Sequence, residues 1–98
     1  MPCALDLPDE LTIYTVGDAR PRWLAALDAS TGPAPFRLGA SSLREIDGAG
    51  VQLIASLERA LRLRDRALHV VGVPPALRAA CDGLGLSGLL AAPEGARP

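Results

Sequence analysis

The chain has 98 residues, with ten basic side chains against eleven acidic ones, and all ten basic residues are Arg. The length fits one small domain with one modest core, and a net charge of −1 gives no basic field for a nucleic-acid backbone. One His (His69) and two distant Cys (Cys3 and Cys81) cannot assemble a four-ligand zinc site unaided. Without Lys there is neither Schiff-base chemistry nor a phosphate-loop lysine, so the inventory disfavours an enzyme and implies no cofactor.

Leu5 and Leu7 alternate with Ala4 and Asp6, Pro8-Asp9-Glu10 has turn composition, and Leu11-Thr12-Ile13-Tyr14 alternates again with β-formers. The pair reads as an antiparallel hairpin. A helix over Thr15 to Ala29 is predicted from Val16, Ala19, Trp23, Leu24 and Leu27 at helical spacing. Asp18 as its cap would put Pro21 in the first turn, where no hydrogen bond is lost; a kinked helix starting at Thr15 is the other reading. Ser30 to Pro35 is a linker by composition. Phe36 to Ala40 reads as a short strand, and Ser41 to Asp47 leads out of it.

Ala49 to about Arg66 is the clearest helix. Leu53, Ile54, Leu57, Ala60 and Leu61 form its apolar stripe, and Val51, Gln52 and Leu63 are expected toward its less buried side. The run Ala67 to Val73 resembles a strand covered on both faces. Pro74-Pro75 then opens a helix carrying Leu77, Ala80, Cys81 and Leu84, closed by Gly83 and Gly85. Leu86 to Ala92 is a weak last element, and residues 93–98 read as a flexible polar tail after a domain spanning 4–92. The fold class is therefore α/β, a mixed sheet with helices packed on it, in the order β-β-α-β-α-β-α.

The most informative segment is Glu45-Ile46-Asp47-Gly48-Ala49-Gly50. Asp47 is placed to cap the following helix, its carboxylate accepting free N–H groups of the first turn and suiting the positive end of the helix dipole. Gly48 and Gly50 allow close approach of another backbone or of a partner. Taken with Val51-Gln52-Leu53-Ile54, the segment resembles the signature loop and helix of STAS domains, the sulphate-transporter and anti-sigma-factor-antagonist domains. The likeness extends outward to Leu11–Tyr14, to Leu38 and the loop after it, to Leu68–Gly72 and to Leu77–Leu86, and covers about Leu5 to Leu90.

The resemblance implies a non-catalytic bacterial regulatory module, docking a protein partner through Asp47, Gly48, Ala49, Gly50, Val51 and Gln52. The implied partner is an anti-sigma factor of the kinase-like ATPase type or a chemotaxis signalling protein. Alternatively, it is the ATPase of a lipid-transport ABC complex, with this chain as accessory subunit. Family members that act as anti-sigma-factor antagonists are phosphorylated on the hydroxyl residue directly after the Asp. Here that position is Gly48, so no phospho-switch is expected there. Small-ligand binding, as some STAS domains show, has no phosphate-cradling loop to support it.

The remaining candidates have plainer readings. His69 reads as a packed or sheet-edge strand residue, Cys81 as core, and Trp23 as a helix-packing residue. Arg59, Arg62, Arg64 and Arg66 form the only basic cluster, a solvated helix face or a contact for an acidic surface. Met1-Pro2-Cys3 shows no signal peptide, and no segment approaches the roughly 20 apolar residues of a membrane span, so a cytoplasmic chain with reduced thiols is expected. An exposed sheet edge leaves self-association open.

Overall fold

The computed structural model describes residues 3–90. The expected tail over 93–98, and Ala91 and Ala92 before it, lie outside the described residues. The strands are short, and each finds a partner far along the chain. β3 (Phe36–Gly39) lies between β1 (Leu5–Asp6) and β5 (Leu68–Val71), parallel to both. Leu38 is opposite Leu5 on one side and Val70 on the other. β2 (Glu10–Leu11) pairs in parallel with β4 (Glu45–Ile46), forming a separate two-stranded sheet.

The class α/β holds, but the antiparallel hairpin does not form: every strand pair among the described residues is parallel, where a mixed sheet was expected. The turn at Pro8–Asp9 carries the chain from one sheet to the other instead of folding it back. Asp9 O accepts N–H bonds from Arg44 (2.8 Å) and Glu45 (3.0 Å), which ties that crossing to the entrance of β4. β5 is also not covered on both faces. Leu68 and Val70 are buried while His69 and Val71 are half-buried, so one face is packed and the other partly open.

α1 runs over Val16–Ala29 and starts at Thr15, with Pro21 inside it. The cap at Asp18 is thereby corrected. The start is fixed upstream by a turn in which Thr15 N–H and Val16 N–H both bond to Thr12 O (2.9 Å each). Pro21 and Gly17 are both exposed, so the carbonyl that loses its helical donor faces water. α2 covers Gly48–Arg62. It closes in a turn in which Asp65 N–H bonds to Arg62 O and Arg66 N–H to Leu61 O, with Asp65 in the left-handed region at φ 57°. α3 (Pro75–Gly83) closes in the same way, with Gly85 at φ 69° and Leu86 N–H on Cys81 O at 2.8 Å. A 3-10 turn over Ser87–Leu90 follows.

The core is one cluster in which strands and helices interleave. Phe36 and Leu38 from β3, Ile54 and Leu61 from α2, and Leu77 and Cys81 from α3 are all fully buried. Each large apolar side chain so placed contributes about 1.5–3 kcal/mol of transfer free energy. Trp23 packs here too, as expected, and Cys81 is a buried free thiol whose ionisation burial pushes upward.

Candidate functional site: the Asp47 helix start and the loop beside it

Asp47 is the N-cap of α2, with extended backbone (φ −123°, ψ −172°). Its two carboxylate oxygens serve different segments. Oδ1 accepts from Gly50 N–H at 3.1 Å, the capping bond. Oδ2 accepts from Ile13 N–H at 2.9 Å, from the loop after β2. Asp47 N–H also reaches Leu11 O at 3.4 Å. One side chain thus joins the β2 exit to the start of α2. The Ile13 N–H, then the N–H groups of the helix start, hold the Asp47 carboxyl below its ordinary value despite an opposing push from desolvation.

The loop over Thr12–Thr15 is rigidly bonded. Thr12 N–H donates to Thr15 Oγ1 (2.9 Å), Thr12 Oγ1 donates to Glu10 Oε2 (2.7 Å), and Tyr14 N–H donates to Thr12 Oγ1 (3.3 Å). Thr12 is buried, whereas Ile13 is 63% and Tyr14 88% exposed. Two large apolar side chains therefore stand in water on an ordered loop beside Asp47. The sequence alternation predicts a strand there, and the structure has a turn instead. The alternation Leu11-Thr12-Ile13-Tyr14 hid a turn whose only local mark is the Thr12/Thr15 pair.

The six expected site residues separate into two groups. Asp47, Gly48, Ala49 and Gln52 are exposed or half-exposed at the helix start. Gly50 and Val51 are buried, which corrects the expectation that Val51 lies on the open side of α2. Val51 is a core residue. Gly50 is where the backbone of β2 comes closest, and a Cβ there would run into Leu11 O and the Ile46 side chain. Gly48 is different. It does not adopt positive φ, and a Cβ added to it meets nothing within 4 Å. A hydroxyl-bearing residue would fit there; the chain has none.

The other candidates are settled by their partners. The Arg cluster is tied down residue by residue. Arg62 bonds Glu58 (2.6 Å), Arg59 bonds Ser56 Oγ (3.3 Å) and Arg64 reaches Leu27 O (3.3 Å). Arg66 bonds Ser30 O (2.6 Å) and Ala34 O (2.8 Å) and stacks 5.7 Å from the Phe36 ring centroid. His69 sits on edge strand β5, as expected. Among the described residues, no group of three or more His, Cys, Asp or Glu is gathered as a metal site would need. No helix there is long and apolar enough to cross a membrane.

A small α/β domain that holds two exposed large side chains, Ile13 and Tyr14, on a bonded loop beside a capped helix start has the features of a protein-interaction domain. The family model described as "Mlab, STAS domain" matches residues 2–91, and the chain belongs to the STAS domain family. STAS domains are in general non-catalytic modules that mediate protein–protein interaction. No curated protein and no solved structure gives a match.

Proposed function

We propose that this chain is a non-catalytic regulatory module of the anti-sigma-factor-antagonist type. Its docking surface is the Asp47 helix start, with Gly48, Ala49 and Gln52, together with the Ile13–Tyr14 loop. The observation that carries the reading is the exposure of Tyr14 and Ile13 on a loop bonded to Asp47. An exposed aromatic on a bonded backbone is a good interface anchor, because a ring with two χ angles offers a large contact area and has little side-chain freedom to lose on binding. Gly50 and Val51 support the surface from beneath. With Gly48 in place of a hydroxyl residue, binding is not switched by phosphorylation at that position.

A second reading is an accessory subunit docked on the ATPase of a lipid-transport ABC complex. It is favoured by the wording of the family description, which names Mlab and not an anti-sigma factor antagonist. Both readings use the same surface and both partners are ATPases, so one experiment separates them. The tagged chain, purified from its own cells, should carry an ATPase identifiable by mass spectrometry as kinase-like or as an ABC subunit. Tyr14→Ala and Gln52→Ala should each lose it, while Leu84→Ala, an exposed apolar residue on α3's C-cap, should retain it. Retention by both site variants would refute the surface.

A further inference from the structure

Among the pockets of the described surface that share no residue with the docking surface, one is lined by two Arg side chains that form no ion pair among the described residues. It is an open recess of about 390 Å³ between the end of α1, the Ser30–Pro35 linker and the start of β3. Cys3, Ser30, Thr31, Arg37 and Arg66 line it, with small apolar residues such as Ala29 completing the wall. Its charge is unbalanced. Neither Arg37 nor Arg66 forms an ion pair among the described residues, whose ion pairs are Arg62–Glu58 and Arg64–Asp28. Asp6 pairs with Gly39, two residues along β3, and does not bridge to Arg37.

Arg37 also carries an orphan donor: its Nε is buried with no hydrogen-bond partner among the described residues. That buried N–H, left unpaired, costs free energy, and no carboxylate of the described residues pairs with the guanidinium, which lines the recess. Arg66 is held rigid by its bonds to Ser30 O and Ala34 O, all of them to uncharged acceptors, so its full positive charge remains in the recess. Ser30 Oγ accepts from Arg66 Nη1 at 3.2 Å, which leaves its proton free to donate.

We propose that this recess is an anion site that takes a phosphate group carried by a small soluble molecule. The phosphate would be held by the Arg37 guanidinium and the Ser30 and Thr31 hydroxyls, in the field of Arg66. A phosphate monoester, with about −1.5 to −2 charges near neutral pH, matches two uncompensated guanidiniums, which a carboxylate does not. The small wall residues leave room for a compact organic body. With no aromatic side chain among the lining residues, the site offers no stacking surface for a base.

The test is an NMR titration of the full chain, following Arg Nε–H signals and the amides of Ser30, Thr31 and Arg37. The probes are inorganic phosphate, glycerol 3-phosphate, glycerol and acetate. The two phosphates should give saturable shifts confined to the recess, with glycerol silent and acetate weaker. Arg37→Gln should weaken binding roughly tenfold or more, the loss expected for a charge-assisted contact. Ala29→Glu, at the exposed last residue of α1, places a carboxylate in the recess and should abolish binding with the amide spectrum otherwise preserved. The proposal is overturned if no saturable shift appears, if the shifts spread over the exposed Arg side chains, if acetate binds as well as phosphate, or if Arg37→Gln binds like the parent. None of these results bears on the docking surface, whose residues lie elsewhere.

Discussion

Asp47 does two jobs with one carboxylate, and they separate by substitution. Asp47→Ala removes the Gly50 cap and the Ile13 tether together. The core beneath is untouched, so the variant should fold, but with lower stability and a loosened Ile13–Tyr14 loop, and its partner affinity should fall. The pH dependence has a definite sign. The folded Asp47 carboxyl lies below its ordinary value of 3.8, so its stabilising contribution is fully present above that value. It is lost as pH falls through the lower, folded value. Urea unfolding of parent and Asp47→Ala should therefore differ at neutral pH and converge in acid below about 3.8. A gap that widened on acidification would contradict the bonding described.

Position 48 offers the complementary experiment. Neither backbone conformation nor space calls for glycine there. Gly48→Ser should fold as the parent does. Gly48→Asp should also fold, helped by the positive end of α2, but it sets a second negative charge beside Asp47. If the partner docks there, affinity should drop roughly tenfold or more, as like-charge juxtaposition at an interface does. Equal affinities for Gly48→Ser and Gly48→Asp, measured by calorimetry, would place the interface elsewhere.

At the scale of elements, the contact between β2 and α2 positions the site, and it depends on the missing side chain at Gly50. Gly50→Ala drives a Cβ against the Leu11 carbonyl, which is backbone and cannot swing aside. The cost should be about 1–3 kcal/mol, as for other overpacked sites, and should appear in chemical denaturation. The opposite effect is expected at the other end of the helix. Asp65 holds a left-handed conformation at φ 57°, which glycine adopts without a Cβ penalty. Asp65→Gly should stabilise the chain by about 0.5–1 kcal/mol.

These elements also show what the sequence could reveal. The capped start of α2 was legible because Asp47, the glycines and the apolar stripe are local signals. The closure of α3 at Gly85 was legible for the same reason. Strand pairing was not. Leu5 alternates as a hairpin strand would, yet its partner is Leu38, across α1, and no local pattern encodes a parallel partner at that separation. The exposure of Ile13 and the burial of Val51 have separate causes, and neither is marked locally. The turn at Thr12–Thr15 displaced the strand, and β2 packing over Gly50 turned the first turn of α2 inward.

Over the whole molecule, the question is whether so small a chain unfolds as one unit. The core argues that it does, because Trp23 of α1, Phe36 of β3 and Cys81 of α3 belong to one contiguous buried cluster spanning both sheets' helices. Two native probes lie on different helices of that cluster. Trp23 is the only Trp and is 4% exposed, and Cys81 is a fully buried thiol kept in its neutral form by burial. Cys3 is only half-buried and serves as the internal control. Under thiol reagent at neutral pH, Cys3 should label quickly, and Cys81 only when the core opens. The equilibrium constant for exposing Cys81 should then equal that obtained from Trp23 fluorescence in urea, extrapolated to water. Labelling of Cys81 that is much faster, and insensitive to Phe36→Leu while that change lowers the Trp23 transition, would show α3 detaching by itself. The fold would then consist of a stable α1–α2–sheet body with a loosely held third helix, and not of a single cooperative domain.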